Sequence, residues 1–149
     1  MWYSLFLVFA FLSFPADQPE NSDSLLEGYW HGEMSSEADD GYRPLFTIDF
    51  ILKEKDGVVT GFSYISVENI YAKMEFQGTL TNDILLNAKD IVILEKEVNA
   101  GMEWCLKNYF LILKKEDGIW KLEGHWNGVT SFSTCTPGKV TLHKIIPRA

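Results

Sequence analysis

From Leu26 onward no stretch of this chain carries a helical period. Short runs rich in Val, Ile, Phe, Tyr and Trp alternate with polar residues and are cut by Gly, Asn and Asp. Alternation of period two buries one face only when the run is a strand lying on a core, so successive runs predict successive β-hairpins. Eight strands are expected, at about Gly28 to Met34, Leu45 to Lys55, Val58 to Val67, Ala72 to Leu80, Ile84 to Glu95, Trp104 to Lys115, Ile119 to Trp126 and Val140 to Ile146. Three connections are short and carry tight-turn chemistry: Lys55-Asp56-Gly57, Thr81-Asn82-Asp83 and Glu116-Asp117-Gly118. The other four, Ser35 to Pro44, Glu68 to Tyr71, Lys96 to Glu103 and Asn127 to Lys139, are longer. In a meander these four all fall at the end opposite the tight turns. The fold expected is therefore all-β, an eight-stranded antiparallel up-and-down barrel with one closed and one open end.

Strand faces sharpen the expectation. Phe46, Ile48, Phe50 and Leu52 alternate to one side of the second strand, and Ala72, Met74, Phe76, Gly78 and Leu80 to one side of the fourth. Trp120, Leu122, Gly124 and Trp126 do so in the seventh, and Val140 and Leu142 in the eighth. The third, fifth and sixth strands are ambiguous. Glycines inside strands, such as Gly32, Gly61, Gly78 and Gly124, favour the sharp coiling that closes a small sheet on itself.

Ahead of the strands, Trp2 to Phe14 holds no charge and is shorter than the roughly 20 apolar residues of a membrane-crossing helix. It reads as the apolar core of a secretory signal peptide. The expected organisation is a signal over residues 1–16, a polar linker over 17–25 and one barrel domain over 26–149, exported to the periplasm, the cell envelope or the medium. The formal net charge of -8 opposes binding to nucleic acid or to an anionic membrane, both of which need a basic footprint. The chain's two cysteines, Cys105 and Cys135, belong to no metal-ligand spacing. In an exported protein such a pair reads as a disulfide, two buried thiols in a cytosolic protein being the alternative. Both lie at the open end of the meander, where the bond would pin the loop Asn127 to Lys139 against the rim.

Gly28-Tyr29-Trp30, opening the first of eight meander strands, resembles the lipocalins and the wider calycin group, avidin-like barrels included. The resemblance implies that Trp30 packs across the closed end and that a basic side chain near the end of the last strand covers it. Lys144, on the same face as Val140 and Leu142, takes that part. Trp104-Cys105-Leu106-Lys107, Leu122-Glu123-Gly124-His125-Trp126 and Cys135-Thr136-Pro137-Gly138-Lys139 are similar to a group of small exported bacterial β-proteins. That likeness implies the disulfide and the barrel, and no activity.

A closed end, an open end and an interior rich in aromatics suit the holding of one small apolar ligand. Met34, Tyr42, Phe46, Trp104, Trp126 and Phe132, nearest the open end, are the residues expected to contact it. The alternative is an exported interaction or inhibitor module that uses Ser35 to Pro44 and Asn127 to Lys139 as a contact surface over a filled barrel. The third strand discriminates. Phe62 and Tyr64 pointing inward would crowd the interior, whereas Gly61 and Ser63 pointing inward would leave room. His31, His125 and His143 all face outward on adjacent strands, but His125 lies near the open end and His143 near the closed end, so separate surface histidines are expected rather than a zinc site. The acidic loop 35–41 lacks the spacing of a calcium loop and reads as a solvated rim. No nucleophile elbow, zinc-protease motif or phosphate loop is present, and the carboxylates Glu33 and Asp49 point outward. Neither an enzyme nor a cofactor is expected.

Overall fold

The computed structural model describes residues 24–37 and 44–148. The proposed leader 1–16, linker residues 17–23 and Tyr42 lie outside the described residues. Eight strands follow one another as β1 (Gly28–Ser35), β2 (Leu45–Lys55), β3 (Val58–Val67), β4 (Ile70–Thr81), β5 (Leu85–Glu97), β6 (Leu106–Glu116), β7 (Ile119–Val129) and β8 (Thr134–Ile145). Each pairs antiparallel with its sequence neighbour, and β8 returns to β1, which closes the barrel. Closure gives every described strand a neighbour on both sides, the shortest ladder being β5–β6, from Leu85 opposite Ile112 to Lys89 opposite Asn108.

The closed end is made by three turns whose paired central residues all take positive φ: Asp56 and Gly57 at 54° and 81°, Asn82 and Asp83 at 52° and 60°, Asp117 and Gly118 at 51° and 78°. Two left-handed residues in succession give the turn a twist that matches the strands it joins, and Asn, Asp and Gly tolerate that conformation best. The buried faces are those with apolar alternation. Ile48, Phe50 and Leu52 of β2, Ala72, Met74 and Phe76 of β4, Leu122 and Trp126 of β7, and Val140 and Leu142 of β8 are all buried. Mid-barrel, Phe50 lies against Phe76 and Tyr109 with ring centroids 4.7 and 5.2 Å away. At Gly32 the backbones of β1 and β8 approach so closely that a Cβ would stand 1.9 Å from the Thr141 carbonyl oxygen.

Trp30 is wholly buried at the closed end, and its Nε1 donates to the Leu26 carbonyl at 2.8 Å. Lys144 is its cross-strand partner on β8; Nζ donates to the Leu25 carbonyl at 2.7 Å and sits 5.9 Å from the Trp30 ring centre.

Three expectations about the open end need correction. The β3–β4 connection is a two-residue turn, Glu68-Asn69, with Glu68 at φ 53°, rather than the four-residue stretch to Tyr71. β6 begins at Leu106, so Trp104 and Cys105 lie in the 98–105 connection. β8 begins at Thr134, six residues earlier than its alternation suggests, so Cys135 is in a strand and the β7–β8 connection is only 130–133. The reason is a bulge. Trp126 pairs with Gly138 and Gly128 with Cys135, so β8 carries one residue too many there, and the bulge accommodates Pro137, which lacks an amide donor. The Pro137 carbonyl accepts from the Glu37 amide at 2.8 Å, beyond the end of the β1 ladder.

Candidate functional site

At the open end residues of β1, β2, β4, β6, β7 and β8 and of the 98–105 connection line an open-mouthed pocket of about 360 Å³. Met34, Phe46, Trp104 and Trp126 stand in its wall, with Ile70, Val98 and the Cys105–Cys135 disulfide. Of the six residues expected to meet a ligand, four are thus brought together. Phe132 is not among the lining residues; it sits at the tip of the 130–133 turn, 73% exposed. Tyr42 lies outside the described residues.

The wall is braced from behind. Trp126 Nε1 donates to the Ser35 carbonyl at 2.7 Å, and Trp104 Nε1 to the Glu97 carbonyl at 3.1 Å, so each indole spends its polar atom on backbone and turns an apolar surface to the pocket. Phe46 meets Trp104 edge-on with centroids 6.4 Å apart. Glu103 accepts from the Ser131 hydroxyl at 2.7 Å and from its amide at 2.9 Å, which ties the 98–105 connection to the β7–β8 turn and holds the carboxyl below its usual range. The disulfide joins the end of the 98–105 connection to β8 beside Gly128 of β7. A Cβ there would come within 3.3 Å of the Cys105 Cβ and 2.7 Å of the Leu106 carbonyl oxygen.

The third strand turns Ser63, not Phe62, inward. Val59, Ser63 and Ile65 are buried, while Phe62 is on the outer face, 37% exposed. The room that Ser63 leaves is taken by a polar group no alternation pointed to. Asp90 of β5 and Lys107 of β6 both face inward, with side chains 0% and 2% exposed and Nζ 3.7 Å from Oδ2. Asp90 Oδ1 accepts from Ser63 Oγ at 2.7 Å, and Oδ2 from the Tyr109 hydroxyl at 3.2 Å and from the Lys107 amide at 3.1 Å. Lys107 Nζ donates to the Cys105 carbonyl at 2.8 Å, touches Met74 Sδ at 4.0 Å, and lies 5.9 and 6.0 Å from the Trp104 and Trp126 ring centres. It is the cation that lines the deep side of the pocket.

No family model, no curated protein and no solved structure matches this chain. Burial disfavours charge, and its effects run in opposite directions on the two partners. It raises Asp90 above the ordinary carboxyl value, with Lys107 and the hydroxyl donors pulling back, and lowers Lys107 from 10.5 to about 8 against the attraction of Asp90. Tyr109, buried beside the same carboxylate, is raised well above 10.0.

Asp90 owes its position to β5. Two register shifts against β4 put two extra residues into β5, Leu94 and Ile91, and the second immediately follows Asp90. The β5–β6 ladder stops at Lys89 opposite Asn108, and the Asp90 carboxylate, not a β5 carbonyl, receives the Lys107 amide.

The histidines do not converge. His31 and His143 are cross-strand partners on β1 and β8, whereas His125 is opposite Lys139 nearer the mouth. His31 Nδ1 is 2.6 Å from Asp49 Oδ1, which also accepts from the Tyr29 hydroxyl at 2.7 Å and pushes Tyr29 up to about 12. Among the described residues no cluster of three or more His, Cys, Asp or Glu is placed to hold a metal ion.

Proposed function

We propose that the protein is an exported, lipocalin-like barrel that carries one small apolar molecule in its open-end pocket and performs no turnover on it. The observation that supports this best is the pocket, about 360 Å³ and walled by Met34, Phe46, Trp104 and Trp126. Ligand sites of that size, mainly apolar with a few placed polar groups, bury most of a small molecule. Export is supported by the apolar run from Trp2 to Phe14 and by the Cys105–Cys135 bond, which persists in oxidising compartments. Kinship with calycins is supported by the barrel order and by the Trp30–Lys144 pair at the closed end.

Native mass spectrometry of protein made in an oxidising compartment tests the reading, together with titration by 1-octanol followed through Trp104 and Trp126 fluorescence. A co-purifying small molecule lost on denaturation, or saturable quenching at one octanol per chain, is expected. A bare mass together with no saturable quenching sinks the carrier reading. A second reading, contact with a protein through the rim, is favoured by the exposed Phe132 at the tip of the 130–133 turn. A Phe132→Ser change that leaves octanol quenching intact but abolishes a protein contact would support it.

A further inference from the structure

Lys107 is a primary amine whose side chain is 2% exposed and which lines the pocket. An apolar guest has no need of it, and a buried ion pair is a weak source of stability. Two chemical roles fit a lysine so placed. As a fixed cation it would select an anionic ligand, but Asp90, 3.7 Å away, already balances its charge, and a second buried carboxylate would leave the floor with a net negative charge. A carbonyl compound brings no charge at all. The carboxylate of Asp90, held by Ser63 Oγ at 2.7 Å and Tyr109 Oη at 3.2 Å, is fixed beside the amine and can take and return a proton.

We propose that Lys107 captures an apolar aldehyde or ketone in the pocket as an imine, with Asp90 moving the protons. This rests on the carrier reading and names the class of its ligand. The ammonium gives one proton to Asp90. Its freed pair forms the C–N bond to the carbonyl carbon, and the carbonyl π pair moves to oxygen, which takes the second nitrogen proton to give the carbinolamine. Asp90 returns its proton to that hydroxyl, which leaves as water while the nitrogen pair closes the C=N bond. Ammonium plus carbonyl compound become iminium plus water, so one positive charge still faces Asp90 and nothing is oxidised or reduced. Geometry is supported by availability. With Lys107 lowered to about 8, about a tenth of it is neutral amine at pH 7, about 300-fold more than a lysine at 10.5.

The test incubates the oxidised full chain at pH 7 with one octanal per chain and cyanoborohydride, which reduces an imine to a stable amine, and maps the product by peptide mass. Expected is one octyl group on Lys107, about ten-fold or more above any other lysine, given the difference in neutral amine. An excess of 1-octanol should suppress it, and the Lys107→Met variant should lack it. Should that variant fail to fold, octanol competition on the unaltered chain decides alone. Labelling spread over the surface lysines, with octanol still quenching the pocket tryptophans, overturns the imine and leaves the carrier standing. Absence of both labelling and quenching overturns the two together.

Discussion

Replacing Lys107 by Met leaves the Asp90 carboxylate with no cation in a site where its side chain is 0% exposed. Three donors survive, the hydroxyls of Ser63 and Tyr109 and the amide of residue 107, but none carries charge. Removing one partner of a buried pair costs about 3–5 kcal/mol. Protonation sets a ceiling on that loss. The folded variant escapes the buried charge by binding a proton, and with an ordinary value of 3.8 in the unfolded chain this costs about 4 kcal/mol at pH 7 and about 2 kcal/mol at pH 5. The sign follows. A carboxyl raised on folding binds more protons folded than unfolded above 3.8, so its stability is present at low pH and is lost as pH rises. Urea unfolding followed by tryptophan fluorescence at pH 5, 6 and 7 should show the variant losing stability with rising pH more steeply than its parent, by up to about 1.4 kcal/mol per pH unit. Parallel pH profiles for the two proteins, or a loss below about 1 kcal/mol at pH 7, would refute the view that Lys107 is what keeps Asp90 charged.

Three further outcomes are expected. Gly32→Ala puts a Cβ 1.9 Å from the Thr141 carbonyl, so the β1–β8 seam must part, and thermal unfolding should register a loss of about 2–3 kcal/mol. The double change Cys105→Ala/Cys135→Ala frees a link of sequence separation 30 and should cost about 3–4 kcal/mol in denaturant, an effect that reducing agent should reproduce in the parent. Trp104→Ala removes a wall of the pocket, so octanol affinity should fall about ten-fold or more in fluorescence titration.

What could be read from residue order is what alternation and turn chemistry control. Asp-Gly and Asn-Asp turns located the closed end, and the clean apolar sets of β2, β4, β7 and β8 located the interior. The start of β8 was hidden because Pro137 and Gly138 look like a loop, and only the pairing partner across the sheet reveals that they sit in a bulge. The polar floor was hidden for a related reason. In β6 the sets Leu106, Asn108, Phe110, Ile112 and Lys107, Tyr109, Leu111, Leu113 are equally apolar, and in β5 two extra residues break the alternation just past Asp90. The available signal was chemical: Asp90 and Lys107 are the opposite charges that would join the core sets of adjacent strands, and each makes the other's burial tolerable.

The rung above Lys89 and Asn108 is a side chain rather than a backbone pair, and this bears on how the molecule breathes. A stretch held by side chains rather than by a backbone ladder is expected to open locally at a free energy below that of global unfolding. Amides in the upper part of β5 and in the 98–105 stretch are therefore the ones expected to exchange with solvent first, ahead of those in the fully laddered β6–β7 hairpin. One carboxylate, Asp90, thus both ties β5 to β6 above the ladder and faces the buried Lys107 amine.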